Sequence, residues 1–307
     1  MFAPPQDIPL EVYARVPEAL SLADRVSWMA RRRPGMRIPA FLEGPSFDRA
    51  GNLWLVDLAH GRLLRVSPEG SWDVALEYDG QPNGLAIHRD GSVYIADHVK
   101  GILRLDPVSG VLTTMLAELP GAKLKGPNDL MFAHNGDLYF TDQGNTGLHD
   151  PTGRLVRIRA SGAVEVLVDN VPSPNGLVVQ PDGRAVFLAV TRDNAIWYVP
   201  LLGDRQEEVG RVGRFVQLVG GAGGGPDGLA MDAAGNLVIA HVMLGSIWVF
   251  SALGEPMYRL RSPGGPLITN AAFGGADGKT LYVTESSTGT LYQARLPVAG
   301  MQLFSHV

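Results

Sequence analysis

Residues 84–97 read Gly-Leu-Ala-Ile-His-Arg-Asp-Gly-Ser-Val-Tyr-Ile-Ala-Asp. Residues 129–142 read Asp-Leu-Met-Phe-Ala-His-Asn-Gly-Asp-Leu-Tyr-Phe-Thr-Asp, and residues 228–241 read Gly-Leu-Ala-Met-Asp-Ala-Ala-Gly-Asn-Leu-Val-Ile-Ala-His. Each is an apolar segment, a turn containing glycine, and a returning apolar segment, which is the pattern of a β-hairpin. Weaker copies begin at Gly44, Gly176 and Ala271, and a third apolar segment usually follows, as at 63–67, 102–106, 155–159, 196–200 and 247–251. The residues opening the copies are Glu43, Asn83, Asn128, Asn175, Asp227 and Asn270, at successive steps of 40, 45, 47, 52 and 43 residues. A period in the forties with about four strands per unit is the mark of a propeller blade. Six copies predict an all-β protein, a six-bladed β-propeller with four-stranded blades. A parallel β-helix has a much shorter repeat, and a sandwich gives no reason to repeat one opening tripeptide. Ring closure removes exposed sheet edges. Either a strand near 10–16 or the tail near 302–304 pairs with the last blade to close it. A short N-terminal helix, packed outside the blades, is expected over 17–34, carrying Leu20, Leu22, Val26 and Met29, with Arg31, Arg32 and Arg33 solvated at its end. The chain 1–307 reads as a single domain, with 1–40 as an extension and the blades from about 41 onward.

Composition agrees. There are 38 glycines and 22 prolines, about one residue in five, which is heavy turn punctuation. Hydrophobic residues are 45% and charged residues 19%, enough apolar material for a large core. The net charge of −5 is spread without basic blocks, which argues against nucleic acid as a partner. No apolar run approaches the roughly 20 residues of a membrane span, and no export signal is expected at the start. No protein partner is implied. Without cysteine there can be no disulfide, thiolate nucleophile or Cys-based metal site, and a cytoplasmic location fits.

In a propeller the first strand of each blade lines the central channel, so the six opening residues meet at one mouth. They are Glu43, Asn83, Asn128, Asn175, Asp227 and Asn270. All offer oxygen. Two carboxylates across a narrow channel repel each other, and a divalent cation removes the repulsion. Hard oxygen donors suit calcium, magnesium or manganese, and calcium best tolerates mixed carboxylate and amide ligands. Pro-Asn-Gly and Pro-Asp-Gly also make plain turns, but Glu43 is not a turn former. The hairpin returns to the same mouth after 14 residues, at Asp57, Asp97, Asp142 and His241. These orient ligands or touch substrate, or each aspartate ties down the turn that follows it. His98 and His241 are the histidines best placed for substrate.

Leu-Glu-Gly-Pro (42–45), Gly-Pro-Asn-Asp-Leu (126–130), Tyr-Phe-Thr-Asp (139–142), Pro-Asn-Gly-Leu (174–177) and Pro-Asp-Gly-Leu-Ala (226–230) occur in this order. From about 40 to 297 the chain resembles the senescence-marker-protein/gluconolactonase-like family, which includes regucalcin. Leu-His-Asp-Pro-Thr-Gly-Arg-Leu (148–155) is similar to its bacterial lactonase branch. The resemblance implies a six-bladed propeller with one catalytic divalent metal. It implies metal ligands at Glu43, Asn175 and Asp227, with Asn128 binding metal or substrate and Asp227 as general base. Animal members carry an arginine that contacts sugar lactones where this chain has Gly126, with Lys125 beside it. The expected activity is metal-dependent lactone hydrolysis. Calcium is the preferred ion, with zinc, manganese, magnesium or iron as alternatives. Asn83, Asn128, His98, Asp142 and His241 are the expected substrate contacts. Rival readings are a phosphotriester or fluorophosphate hydrolase on the same site, or a non-enzymatic binding scaffold.

Overall fold

The computed structural model describes residues 3–25, 27–28, 35, 37–203 and 208–307. Six sheets, antiparallel except for the short strand Gln6–Asp7 that pairs parallel with Pro256–Arg261 at the edge of the fifth, form the blades of a propeller. The first contains Leu42–Phe47, Leu53–Asp57, Arg62–Val66 and Trp72–Glu77 in chain order. The second contains Pro82–Ile87, Val93–Asp97, Gly101–Leu105 and Leu112–Leu116. The third contains Pro127–Phe132, Leu138–Asp142, Gly153–Ile158 and Val164–Val171. The fourth contains Pro174–Val179, Ala185–Val190, Ala195–Leu202 and Gly213–Gln217. The fifth contains Gly225–Met231, Leu237–Val242, Ser246–Phe250 and Pro256–Arg261. The sixth contains Ile268–Gly274, Thr280–Glu285 and Thr290–Arg295, and takes its outer strand, Glu11–Arg15, from the other end of the chain. Each inner strand packs on that of the next blade, and Ile268–Gly274 packs back on Leu42–Phe47.

The first hairpin of every blade turns on a glycine with positive φ. At Gly51, Gly91, Gly136, Gly183, Gly235 and Gly278 the angle lies between 67° and 88°, a region where a Cβ is costly. An aspartate often fastens the same turn. Asp48 accepts the N–H groups of Ala50 and Asn52, and Asp232 those of Ala234 and Asn236. These local bonds set the register, which puts one face of each strand against the neighbouring blade. Val56 and Leu63 of the first blade, for example, share a buried cluster with Leu85, Ile87, Val93 and Ile95 of the second.

The ring closes through the N-terminal strand, not the tail. Glu11–Arg15 pairs antiparallel with Thr290–Arg295, and Tyr13, Ala14 and Val16 pack with Leu291 against Leu42, Leu53 and Leu64 of the first blade. Segment 300–306 crosses the far end of the channel instead. Met301 donates its N–H to the Met231 carbonyl, and Phe304 stacks on Phe132 with ring centroids 5.5 Å apart. Between this segment and the inner strands lies a cavity of about 740 Å³, whose lining includes Phe47, Met131, Met231, Phe273 and Phe304.

The N-terminal helix expected over 17–34 is not observed among the described residues of that segment, where Glu18–Leu20 forms a 3-10 turn. The backbone bonds explain this. Leu20 donates to the Pro17 carbonyl and Arg25 to the Leu22 carbonyl, while Leu22 N–H goes to the Pro39 carbonyl. Inter-segment pairing therefore takes a donor that a helix would need. Val26, Met29, Arg31, Arg32 and Arg33 lie outside the described residues.

Candidate active site

Every inner strand is irregular at its opening residue. The pairing of first and second strands shifts register between Glu43 and Ser46, Pro82 and Gly84, Pro127 and Leu130, Pro174 and Leu177, Pro226 and Leu229, and Ile268 and Asn270. Such bulges re-aim a side chain and increase local twist. Here they occur at the same end of all six blades. The strands meet closely at this level. A Cβ on Gly44 would lie 2.7 Å from Leu85 N, one on Gly176 2.4 Å from the Asp227 carbonyl, and one on Gly228 2.1 Å from the Asn270 side chain. At these positions glycine after the donor residue is what lets the strands approach so closely.

Glu43, Asn128, Asn175, Asp227 and Asn270 are buried, and Asn83 is half-buried. The Glu43 carboxyl is pushed well above its ordinary range, first by burial, then by the charges of Asp227 and of Asp129. Its Oε2 accepts two hydrogen bonds, from Gly44 N at 3.0 Å and from Asn270 Nδ2 at 3.1 Å. Asn270 Oδ1 accepts the N–H of Ala271, so this amide is committed to holding its neighbours. On the next pair of blades, Asn128 Nδ2 donates to Gln143 Oε1 at 2.8 Å, and Thr141 Oγ1 donates to the Asn175 carbonyl at 2.8 Å.

Asp129 joins this group although the repeat of opening residues does not include it. It stands where the neighbouring copies carry Gly44, Gly84, Gly176 and Gly228. Its carboxylate reaches the axis, lines the axial cavity, and is raised to about 6 by burial, with the Leu130 N–H and the Asn270 amide offsetting part of the rise. The signal was present as the one break in a column of small residues, Ala271 included.

The residues 14 positions on have a different job from the ring. Asp57 accepts from Phe41 N and is paired with Arg62. Asp97 accepts from Tyr78 Oη and from the N–H groups of Gln81, Val99 and Lys100. Asp142 accepts from the N–H groups of Lys125 and Gly126, with Arg154 at 3.3 Å. All three are fully buried, so they fasten the loops of the mouth. Asp142 thus fixes the backbone leading into Asn128 and presents no surface to solvent. Glu285 does the same work in the sixth blade, accepting from Leu267, Ser287 and Thr288 N–H groups. It escaped the spacing rule because it lies 15 residues after Asn270.

His98 is half-buried, with its ring against Gly126, where any Cβ would come within 2.4 Å of it. Position 126 is therefore glycine because imidazole fills the adjoining space. His241 is fully buried beneath Gly221 of the glycine-rich segment 220–225, with the Gly220 backbone as a polar neighbour of its ring. Burial lowers its pKa to about 4, with the Gly220 backbone offsetting part of the fall. The folded value lies below the unfolded one, so this contribution to stability is full above about 6.5 and is lost as pH falls towards about 4. His241→Gln should abolish that slope. Between pH 7 and 4 the wild type should lose about 3 kcal/mol more than the variant, read from urea unfolding midpoints. Parallel pH profiles for the two proteins would count against a neutral buried imidazole.

Among the described residues no group of three or more His, Asp or Glu side chains is arranged to hold a metal ion. The ring instead mixes carboxylates with amides. Its donors are all oxygen, and its carboxylates repel one another. That chemistry fits a hard divalent cation.

The model of the SMP-30/Gluconolactonase/LRE-like region matches residues 41–287. A gluconolactonase of Zymomonas mobilis is 26% identical, over 80% of this chain and 76% of its own. A lactonase of Staphylococcus aureus is 24% identical, over 77% of this chain and 73% of its own. Among solved structures, regucalcin of Agrobacterium tumefaciens, described as a calcium-binding protein, superposes with a TM-score of 0.77. It covers 98% of this chain and 99% of its own at 24% identity.

Proposed function

Because this chain belongs to the SMP-30/gluconolactonase/LRE-like family, we propose that it is a hydrolase that opens lactones at its channel mouth with one divalent cation. The observation that carries this reading is the convergence of Glu43 and Asp227. These residues are remote in sequence, yet both are buried, and the charge of one raises the pKa of the other. A scaffold that only bound partners would gain nothing from such a buried repulsion.

Glu43, Asn128, Asn175 and Asp227 would hold the ion, with calcium the best match to mixed carboxylate and amide oxygens. When bound, it supplies Lewis-acid polarisation of the ester carbonyl. Asp227 acts as general base, taking at a carboxylate oxygen the proton of the attacking water and returning it to the ring oxygen as the acyl–oxygen bond breaks, which leaves the open hydroxy acid. Asn128 and Asn83 orient the cyclic ester, and His98 walls the pocket beside Gly126. Asp142 acts at one remove, through the backbone that carries Asn128.

The test is to strip the protein with a chelator, then restore calcium, zinc, manganese or magnesium singly against a panel of lactones and phosphotriesters. Lactone turnover is expected to vanish on stripping and to return with one of these ions. Undiminished turnover in excess chelator would overturn the reading, and turnover of phosphotriesters alone would replace the substrate class.

A further inference from the structure

We infer that Gln143 is a positioning residue that decides which atom of the Asn128 amide faces the channel axis. The inference rests on the proposal that the ring holds a cation. An asparagine can serve a cation only through Oδ1, because its Nδ2 carries hydrogens. Something must therefore hold Nδ2 away. Gln143 Oε1 accepts from Asn128 Nδ2 at 2.8 Å, and Gln143 Nε2 donates to Ser173 Oγ at 3.0 Å. The two amides are thus set head to tail.

The anchor of this relay is rigid. Ser173 has φ of 66°, a left-handed conformation that a non-glycine residue holds only when its surroundings over-determine it. Both its backbone groups are used. Its N–H donates to Thr146 Oγ1 at 3.1 Å, and its carbonyl accepts from Thr191 N at 3.0 Å. Thr146 Oγ1 in turn donates to the Gln143 carbonyl at 2.7 Å. Backbone and side chain of Gln143 are therefore both tied into a circuit joining the third blade to the fourth. Ser173 also directly precedes Pro174 and Asn175, so one circuit supports two of the proposed ligands.

With Gln143 Nε2 held by Ser173 Oγ, Gln143 presents its Oε1 to Asn128, and an oxygen there accepts from Nδ2 and cannot pair with Oδ1. Asn128 Oδ1 is thereby turned away from Gln143. Gln143 couples the Asn128 amide to this anchor, and without it the amide is free to turn.

Orientation ceases to matter if position 128 is aspartate, which offers oxygen either way, and this gives a double-mutant cycle. Calcium chloride is titrated calorimetrically into chelator-treated full-length protein: wild type, Gln143→Leu, Asn128→Asp and the double variant. Gln143→Met is carried as a second probe that keeps the side-chain length, and melting curves check folding. Gln143→Leu is expected to weaken calcium binding roughly tenfold when Asn128 is present and less than about twofold when Asp replaces it. Equal losses in both backgrounds would mean that Gln143 only supports the loop, and would overturn the inference alone. A wild type that binds no divalent ion would overturn both the inference and the function on which it rests.

Discussion

Asp227→Asn is expected to reduce lactone turnover by roughly a thousandfold or more at saturating cation, with the melting temperature little changed. The side chain keeps its shape and one oxygen donor. It loses its charge and the ability to take a proton. Those losses separate two roles that a truncation would merge. If Asp227 were only a ligand, the amide should bind the cation more weakly, and raising the cation concentration should restore turnover. As a general base it leaves a deficit that no cation concentration repairs. The measurement is kcat as a function of calcium, with affinity followed separately by calorimetry. Recovery to within tenfold of wild type at high calcium would assign the base to another residue. Stability should survive because the backbone here is set by neighbours that do not depend on the carboxylate. The Asp227 carbonyl lies against Gly176, and Thr191 Oγ1 holds the Pro226 carbonyl at 2.8 Å.

Most of this architecture is legible in the chain because symmetry repeats the same demands. A hairpin that must turn at the same depth in each blade asks for glycine at Gly51, Gly91, Gly136, Gly183, Gly235 and Gly278, and all six have positive φ. Inner strands that crowd the axis ask for a small residue after each donor, hence Gly44, Gly84, Gly176 and Gly228. Periodicity shows where a residue departs from it but not what the departure does. Asp129 breaks the column of small residues and adds a carboxylate to the axis. Glu285 sits one residue late and so fell outside the spacing. Gln143 and Ser173 belong to loops, where no period exists, and their contact depends on a left-handed serine that sequence does not announce. The helix expected over 17–34 is not found among the described residues for a related reason. Its apolar spacing favours a helix, whereas the N–H of Leu22 is claimed by Pro39 across the chain.

Glu43→Gln is expected to abolish cation binding and activity together, yet to stabilise the cation-free protein. Both hydrogen bonds to Glu43, from Gly44 N and Asn270 Nδ2, arrive at Oε2. A glutamine Oε1 can accept both in that place. Its Nε2 then stands where the other carboxylate oxygen was, and donates towards the acidic side of the ring. Repulsion from Asp227 and Asp129 becomes attraction. The sign with pH follows. The folded pKa of Glu43 is raised, so the stability of the wild type is undiminished below the ordinary carboxylate range and falls as pH rises through the folded value. The variant lacks that loss. Its advantage should be absent near pH 4 and widen towards pH 8, reaching on the order of 1–2 kcal/mol, or a few degrees in melting temperature. Calcium should reverse the order, because it stabilises only a protein that binds it. Melting curves of both proteins in chelator and in calcium, at three pH values, decide the matter. A variant less stable than wild type at every pH in chelator would mean that the carboxylates at the mouth are not held in repulsion, and the physical case for a cation there would fail with it.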